Sequence, residues 1–328
     1  MSDSETTTTA TGGESAQASP NVWTMTVGLL KTLRPHQWIK NLFVLAPLFF
    51  SKSFMQPRTL ALGLLGALLF CLGAGSVYLI NDIFDVEKDK KHPVKCKRPI
   101  PSGQLPIPVA RVAAVVLSVG TVGLAALIDP WLAGVIGGYV VMNLGYSMAL
   151  KHIAFVDVAV IATGFVLRLL AGKFAIDVYL SEWLIGCTFL LALYLGLGKR
   201  VHELRMYRTG EHGKSRKVLE QYPSQYLNFA FLYVSGLTIA AYTIYTLTAA
   251  LPELTQAMTM QPLRARPTPF ATPYLPLTTL FAVFGITRFY QLVETDSPHS
   301  PTDLILKDLP FIVNLAAWGI VMLGFSFM

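Results

Sequence analysis

Between Asn81 and Gly103 the chain reads NDIFDVEKDKKHPVKCKRPIPSG. Carboxylates recur there at Asp82, Asp85 and Asp89, with the Asn81 amide beside them. At about 100° per residue on a helix, Asp89 lies about 20° from Asp82, Asp85 about 60° and Asn81 about 100°. The four share one stripe, and Glu87 points away from it. Oxygen ligands so spaced suit Mg²⁺, which is usually held by one or two carboxylates together with water and substrate phosphate. Asp82, Asp85 and Asp89 are therefore candidate catalytic residues, and with Asn81 they form the candidate metal set. Lys88, Lys90, Lys91, Lys95, Lys97 and Arg98 follow directly and suit phosphate oxygens. Mixed charge is common at solvated helix ends, whereas NDxxDxxxD spacing is not.

A second constellation lies further along. GKRVHEL places Lys199, Arg200 and Glu203 where a long apolar run ends, with Arg205 just beyond. Positive charge near a membrane surface accounts for the distal Lys214, Arg216 and Lys217. It explains the opening GKR and Glu203 less well. YSMALKH supplies Tyr146 and Lys151 at the end of another apolar run, and Asp157 and Arg168 lie within the next. Ionisable residues inside a membrane are functional candidates by default. Asp157 and Arg168 fall about 20° apart on the helical wheel but roughly 16 Å apart along the axis, too far to pair. Asp157 is expected to serve the site. Arg168 is expected either there or as a hydrogen-bonding residue of a bundle interior. Before the first apolar run, KTLRPHQWIKN mixes cations with Trp38. It forms an interfacial collar, or it lets Arg34, Lys40 or Asn41 help hold a lipid phosphate.

Composition says what must position these groups. Hydrophobic residues make up 53 % of the 328 and charged residues 14 %, with a mean hydropathy of +0.52. Several stretches approach the roughly 20 apolar residues that a spanning helix needs. An all-α polytopic membrane bundle is expected, with no soluble nucleic-acid module. The net charge of +7 gathers in two loops. Cys71, Cys96 and Cys187 are scattered, so neither a disulfide framework nor a zinc site is indicated.

Nine candidate spans follow from the apolar runs: 37–54, 59–80, 107–128, 130–150, 153–173, 180–198, 225–250, 271–293 and 309–327. Gly63, Ala67 and Cys71 have the spacing that permits close helix packing in lipid. Pro130, Pro252, Pro298 and Pro310 mark joins. Residues 1–20 are polar, of low complexity and unlike a secretory signal, and a disordered cytosolic tail is expected over 1–30, ahead of one transmembrane domain over 31–328. The loop 81–106 holds six Lys or Arg and the loop 199–224 holds seven. The positive-inside rule places both in the cytosol, with the site facing the cytoplasm and the protein in the plasma membrane. Arg264 and Arg266 then fall on the outer side, against the trend of that rule.

NDxxDxxxD in such a chain resembles the UbiA superfamily of intramembrane prenyltransferases. RPHQWIKN, YSxxLKH with GFVLRLLAG, GKRxxEL and HPVKCKRPIPSG resemble its decaprenyl-phosphate phosphoribosyltransferase branch, over nearly all of the chain from about residue 30. Ordinary members of the superfamily carry a second Asp-rich motif where this chain reads GKRVHEL. Fewer carboxylates and more cations suit a donor with more phosphate charge, such as phosphoribosyl diphosphate.

The resemblance implies that a phosphoribosyl group passes to a polyprenyl (decaprenyl) phosphate with release of diphosphate, feeding cell-wall arabinan or related glycolipids. Mg²⁺ would sit on Asn81, Asp82, Asp85 and Asp89. Lys97, Arg98, Lys199 and Arg200 would hold phosphates, with Glu203 and Lys40 nearby. Tyr146 and Lys151 would orient the ribose or its 5-phosphate. Asp157 would orient a ribose hydroxyl or a metal-bound water. A prenyltransferase using a small aromatic acceptor shares the first motif but expects the second. A secondary transporter of an anionic solute would keep its ionisable residues near the bilayer midplane on broken helices, whereas these carboxylates cluster at helix ends.

Overall fold

The computed structural model describes residues 21–208, 219, 221–250, 272–295, 297 and 300–327. Residues 1–20, Lys214, Arg216, Lys217, Arg264 and Arg266 lie outside the described residues. No strand occurs among the described residues. The helices are α1 (Val22–Thr32), α2 (Ala46–Phe50), α3 (Pro57–Phe84), α4 (Val86–Lys90), α5 (Ile107–Ile128), α6 (Pro130–Met148), α7 (Val156–Ile176), α8 (Glu182–Arg208), α9 (Ser224–Ala250), α10 (Thr279–Glu294), α11 (Pro301–Ile305) and α12 (Leu309–Phe327).

Among the described residues five helices are long and apolar enough to cross a membrane, namely α3, α5, α7, α8 and α9. The predicted runs also hold α6, α10 and α12, which are shorter or less apolar. The run 37–54 is not one α-helix. Pro35–Leu45 is a 3-10 helix, followed by the five-residue α2 and a 3-10 turn at Ser53–Met55. Arg34 enters it in the left-handed region (φ 52°, ψ 62°), and prolines at 35 and 47 withhold backbone donors. This segment lies tight on α7. A Cβ at Gly172 would stand 1.9 Å from the Val44 carbonyl oxygen and 2.9 Å from Pro47. Only glycine allows that approach.

The expected tail also ends earlier than residue 30. Met25 and Leu29 of α1 pack with Leu33, Leu79, Ile100 and Leu105, so the four-residue apolar period at 25, 29 and 33 has a buried partner. Gly28 sits against Pro99, Gln104 and Leu105, which straps α1 to the loop after α4.

Helix length sets where the polar groups emerge. The 28 residues of α3 span about 42 Å at 1.5 Å each, beyond a hydrocarbon core of about 30 Å. Its last turns, with Asn81 and Asp82, project at one end of the bundle. The 27 residues of α8 carry Lys199 to Arg208 out in the same way. At the opposite end of α5, Asp129 is extended (φ −159°, ψ 133°) and caps α6, accepting from the Trp131 and Leu132 amides at 2.7 and 3.0 Å. Pro130 occupies a first-turn position that needs no donor.

In lipid the helices cohere by close packing, because the tails are as apolar as the side chains. Gly63 abuts Leu48, and Gly66 abuts Ala175. Phe70, Leu132, Ile136 and Tyr139 fill the space between α3, α6 and α7. On the other side Tyr194 stacks on Phe231 (4.8 Å, 8°), with Phe289 edge-on to it.

Candidate active site

The acidic stripe bends. α3 stops at Phe84, Asp85 is its C-cap (φ −90°, ψ 4°), and α4 follows at once. Helical hydrogen bonds nonetheless bridge the bend, from the Asp85 amide to Asn81 O at 3.0 Å and from the Asp89 amide to Asp85 O at 2.8 Å. Asp82 and Asp89 therefore still face one way, 3 % and 1 % exposed. Both converge on Arg98, whose Nη1 donates to Asp82 Oδ1 (3.1 Å) and Asp89 Oδ2 (2.7 Å). Arg34 Nη2 also donates to Asp82 Oδ1 at 2.7 Å, and Lys95 Nζ stands 3.8 Å from Asp89 Oδ1. Glu87 turns outward and pairs with Lys90, as the wheel predicts.

The donor set fits a hard cation. Asp82 and Asp89 already share one positive centre, and Asn81 Oδ1 next to them is buried without a hydrogen-bond partner. An orphaned buried oxygen is costly unless a ligand takes it up. No three His, Cys, Asp or Glu side chains form a metal cage among the described residues. Mg²⁺ is usually held by one or two carboxylates with water and phosphate completing its shell. Asp85 is half-buried at the bend, near enough for its charge to act on Asp82.

Asp157 and Glu203 are joined through Arg200. Arg200 Nε donates to Asp157 Oδ2 at 2.9 Å, and its Nη1 donates to Glu203. Asp157 Oδ1 accepts from the Tyr222 hydroxyl and from the Val158 amide at 2.9 Å. The Phe155 amide donates to the Tyr222 hydroxyl at 2.8 Å, which secures the left-handed Phe155 (φ 66°) at the start of α7. Burial, and then the bond to Asp157, pushes the Tyr222 phenol above its ordinary pKa, so it stays a donor. Asp157 and Arg200 are 1 % and 3 % exposed. Arg200 thus offsets part of the charge of Asp157 and Glu203, and with Tyr222 the cluster ties α7, α8 and the chain before α9 together.

Tyr146 and Lys151 are half-buried, at the end of α6 and in the 3-10 turn Leu150–His152. Lys97 is exposed in the turn Lys95–Lys97, and Lys199 is half-buried on α8. The charges of Arg168 and Lys199 both reach the Lys40 ammonium. Arg168 lies among α3, α6 and α7, with Asn41 accepting from its Nε at 2.8 Å. The Arg34 guanidinium lies 5.0 Å from the Tyr78 ring centre, and the fields of Arg34 and Arg168 both reach that phenol. A polar column thus runs from Asp82 into the bundle.

Nothing in the sequence marks Tyr222, Tyr139 or Tyr78, and it offers Arg34 as a collar residue or a lipid-phosphate contact, not as the partner of Asp82. Tyrosines within apolar runs carry no spacing signal, and Tyr222 meets Asp157 across 65 residues. The pairing of Arg34 depends on its left-handed backbone after Thr32, which composition does not disclose.

Comparisons with known proteins agree with this architecture. The UbiA prenyltransferase family model matches residues 42–211. A decaprenyl-phosphate phosphoribosyltransferase of Corynebacterium glutamicum is 34 % identical, over 89 % of this chain and 84 % of its own. One of Mycolicibacterium smegmatis is 33 % identical, over 89 % and 90 %. A UbiA homolog from Archaeoglobus fulgidus, solved with GPP and Mg²⁺, superposes with a TM-score of 0.59 at 18 % identity, over 92 % of this chain and 100 % of that one. The chain belongs to the UbiA prenyltransferase family.

Proposed function

We propose that this protein transfers the 5-phosphoribosyl group of phosphoribosyl diphosphate to a polyprenyl phosphate at the cytosolic face of the plasma membrane. The observation that carries the reading is the charge balance of the two walls. Asp82 and Asp89 on one wall stand against Arg98, Arg34 and Lys95, and Asp157 and Glu203 on the other share Arg200, with Lys40 in reach of the Lys199 charge. Six cations around four carboxylates suit a donor rich in phosphate, and the pairing of Asp157 and Glu203 with Arg200 suits a second metal there less.

Asn81, Asp82 and Asp89 would hold Mg²⁺, with Asp85 beside them, and the ion when bound would neutralise the departing diphosphate. Arg98, Arg34 and Lys95 are within reach of the same oxygens and stabilise charge as it grows there. Lys97 adds a further cation at the mouth. Tyr146 and Lys151 orient the ribose. The bond from C1 to the diphosphate oxygen breaks, with its electron pair leaving on diphosphate. An oxygen of the polyprenyl phosphate then forms the new bond to C1. That oxygen is anionic near pH 7, so no general base is needed. Asp157 acts as part of the brace and takes no part in proton transfer.

Detergent-solubilised protein given Mg²⁺, phosphoribosyl diphosphate and a polyprenyl phosphate should release diphosphate. EDTA or Asp82→Asn should abolish the release. Turnover of an isoprenyl diphosphate with an aromatic acceptor, and none with this pair, would refute the assignment.

A further inference from the structure

Arg168 is a buried cation with no counter-charge in contact among the described residues. It lies twelve residues past Val156, about 18 Å into the helix, and is 7 % exposed. Its Nε donates to Asn41 Oδ1 (2.8 Å), Nη1 to the Gly164 carbonyl (2.8 Å) and Nη2 to the Tyr139 hydroxyl (3.0 Å). The rings of Phe70, Tyr139 and Phe165 enclose it, with centroids 5.3, 5.0 and 5.4 Å away. All three acceptors are neutral. Guanidinium offers five N–H donors, so donors remain after these bonds. The Tyr139 hydroxyl accepts from Arg168, and its own proton has no acceptor among the described residues. Asn41 is held in turn, its Nδ2 donating to Cys71 Sγ at 3.3 Å.

The bond to Gly164, one turn earlier, shows that the side chain reaches back toward the end of α7 that bears Asp157. The field of Arg168 also reaches the Lys40 ammonium. A membrane-buried cation is usually paired or set in a wet cavity. Here three neutral acceptors orient the guanidinium and leave its charge uncompensated. That is the form of an anion receptor: a fixed fork, a spare phenol proton and aromatic walls that exclude water.

We infer that Arg168, Asn41 and Tyr139 form a phosphate-monoester subsite inside the bundle, apart from the ridge that takes the diphosphate. The inference rests on the phosphoribosyl-transfer reading. That reaction has two phosphate monoesters to seat, the head of the polyprenyl phosphate and the 5-phosphate of the donor. Arg168 is a substrate-positioning residue for one of them.

The test uses the full chain in detergent as wild type, Arg168→Gln, Arg168→Lys and Tyr139→Phe. Binding is measured for farnesyl phosphate, for farnesol, which lacks the phosphate, and for ribose 5-phosphate, together with the melting temperature. Loss of a charge-assisted fork is expected to weaken one of the phosphates on the order of 100-fold in Arg168→Gln, and less in Arg168→Lys. Tyr139→Phe keeps its ring and is expected to weaken the same phosphate about 5-fold, the value of one hydrogen bond. Farnesol binding is expected to stay at the wild-type value. Weakening of farnesyl phosphate alone assigns the subsite to the lipid, and weakening of ribose 5-phosphate alone assigns it to the donor. Unchanged affinity for both, or equal loss for farnesol, overturns the inference, and Arg168→Lys and Tyr139→Phe decide it where Arg168→Gln does not fold. Failure of the wild type to release diphosphate overturns the reaction reading instead.

Discussion

Replacing Arg200 by glutamine should destabilise the protein far more than replacing Asp157 by asparagine, although the two residues share one ion pair. Removing Arg200 leaves Asp157 at 1 % exposure with only the Tyr222 hydroxyl and the Val158 amide. An uncompensated buried charge costs about 3–5 kcal/mol. Removing the Asp157 charge leaves Arg200 with Glu203, whose side chain is 25 % exposed. The expected cost there is that of a lost charged hydrogen bond, about 1–3 kcal/mol. At about 2 °C per kcal/mol for a chain of this size, Arg200→Gln should lower the melting temperature on the order of 5–10 °C. Asp157→Leu with Arg200→Met removes both charges at similar volume and should recover most of that loss. The assay is thermal unfolding of the purified protein in detergent, beside diphosphate release at a temperature where every variant is folded. The bracing argument fails if Asp157→Asn melts like the wild type while kcat vanishes at unchanged KM. It also fails if the double variant melts no higher than Arg200→Gln.

Three further outcomes follow from the same geometry. Tyr222→Phe should cost about 1–3 kcal/mol near neutral pH, because Asp157 loses a donor. Since the folded phenol is pushed up, its contribution is complete below the unfolded value of about 10 and declines as pH rises further, so the wild-type advantage over Tyr222→Phe in chemical unfolding should shrink above that pH. Gly172→Ala would set a methyl 1.9 Å from the Val44 carbonyl. Overpacking of this kind costs about 1–3 kcal/mol or more, and activity should fall with stability because the displaced segment carries Lys40 and Asn41. Arg34→Ala leaves Asp82 with Arg98 alone and should lower kcat/KM about 10-fold, in the range of one half-exposed charged hydrogen bond, with the melting temperature little changed.

Much of this protein can be read without coordinates, because the bilayer restricts what a chain does. Apolar runs must become helices to satisfy their backbone, so the spans at α3, α5, α7, α8 and α9 follow from length and hydropathy. The shared face of Asp82 and Asp89 survives a bend, because helical hydrogen bonds run through it. Glu87 faces solvent for the same reason. The run 37–54 misleads because hydropathy does not register two prolines and a left-handed Arg34, and those turn an apolar stretch into short 3-10 pieces. The helix over 22–32 was hidden because its stability comes from Leu79, Ile100 and Leu105, far along the chain.

Charge identity was plain from the residues, but charge partnership was not. Arg98, Arg200 and Arg168 are one residue type at three helix or loop positions, and nothing local distinguishes them. Folding sends the first to Asp82 and Asp89, the second to Asp157 and Glu203, and the third to an amide, a carbonyl and a phenol. Those partners lie up to 127 positions away. Local spacing determines which groups share a helix face. Which opposite charge meets that face depends on how the helices pack, and here that separates a metal ridge, a brace and an unmatched cation.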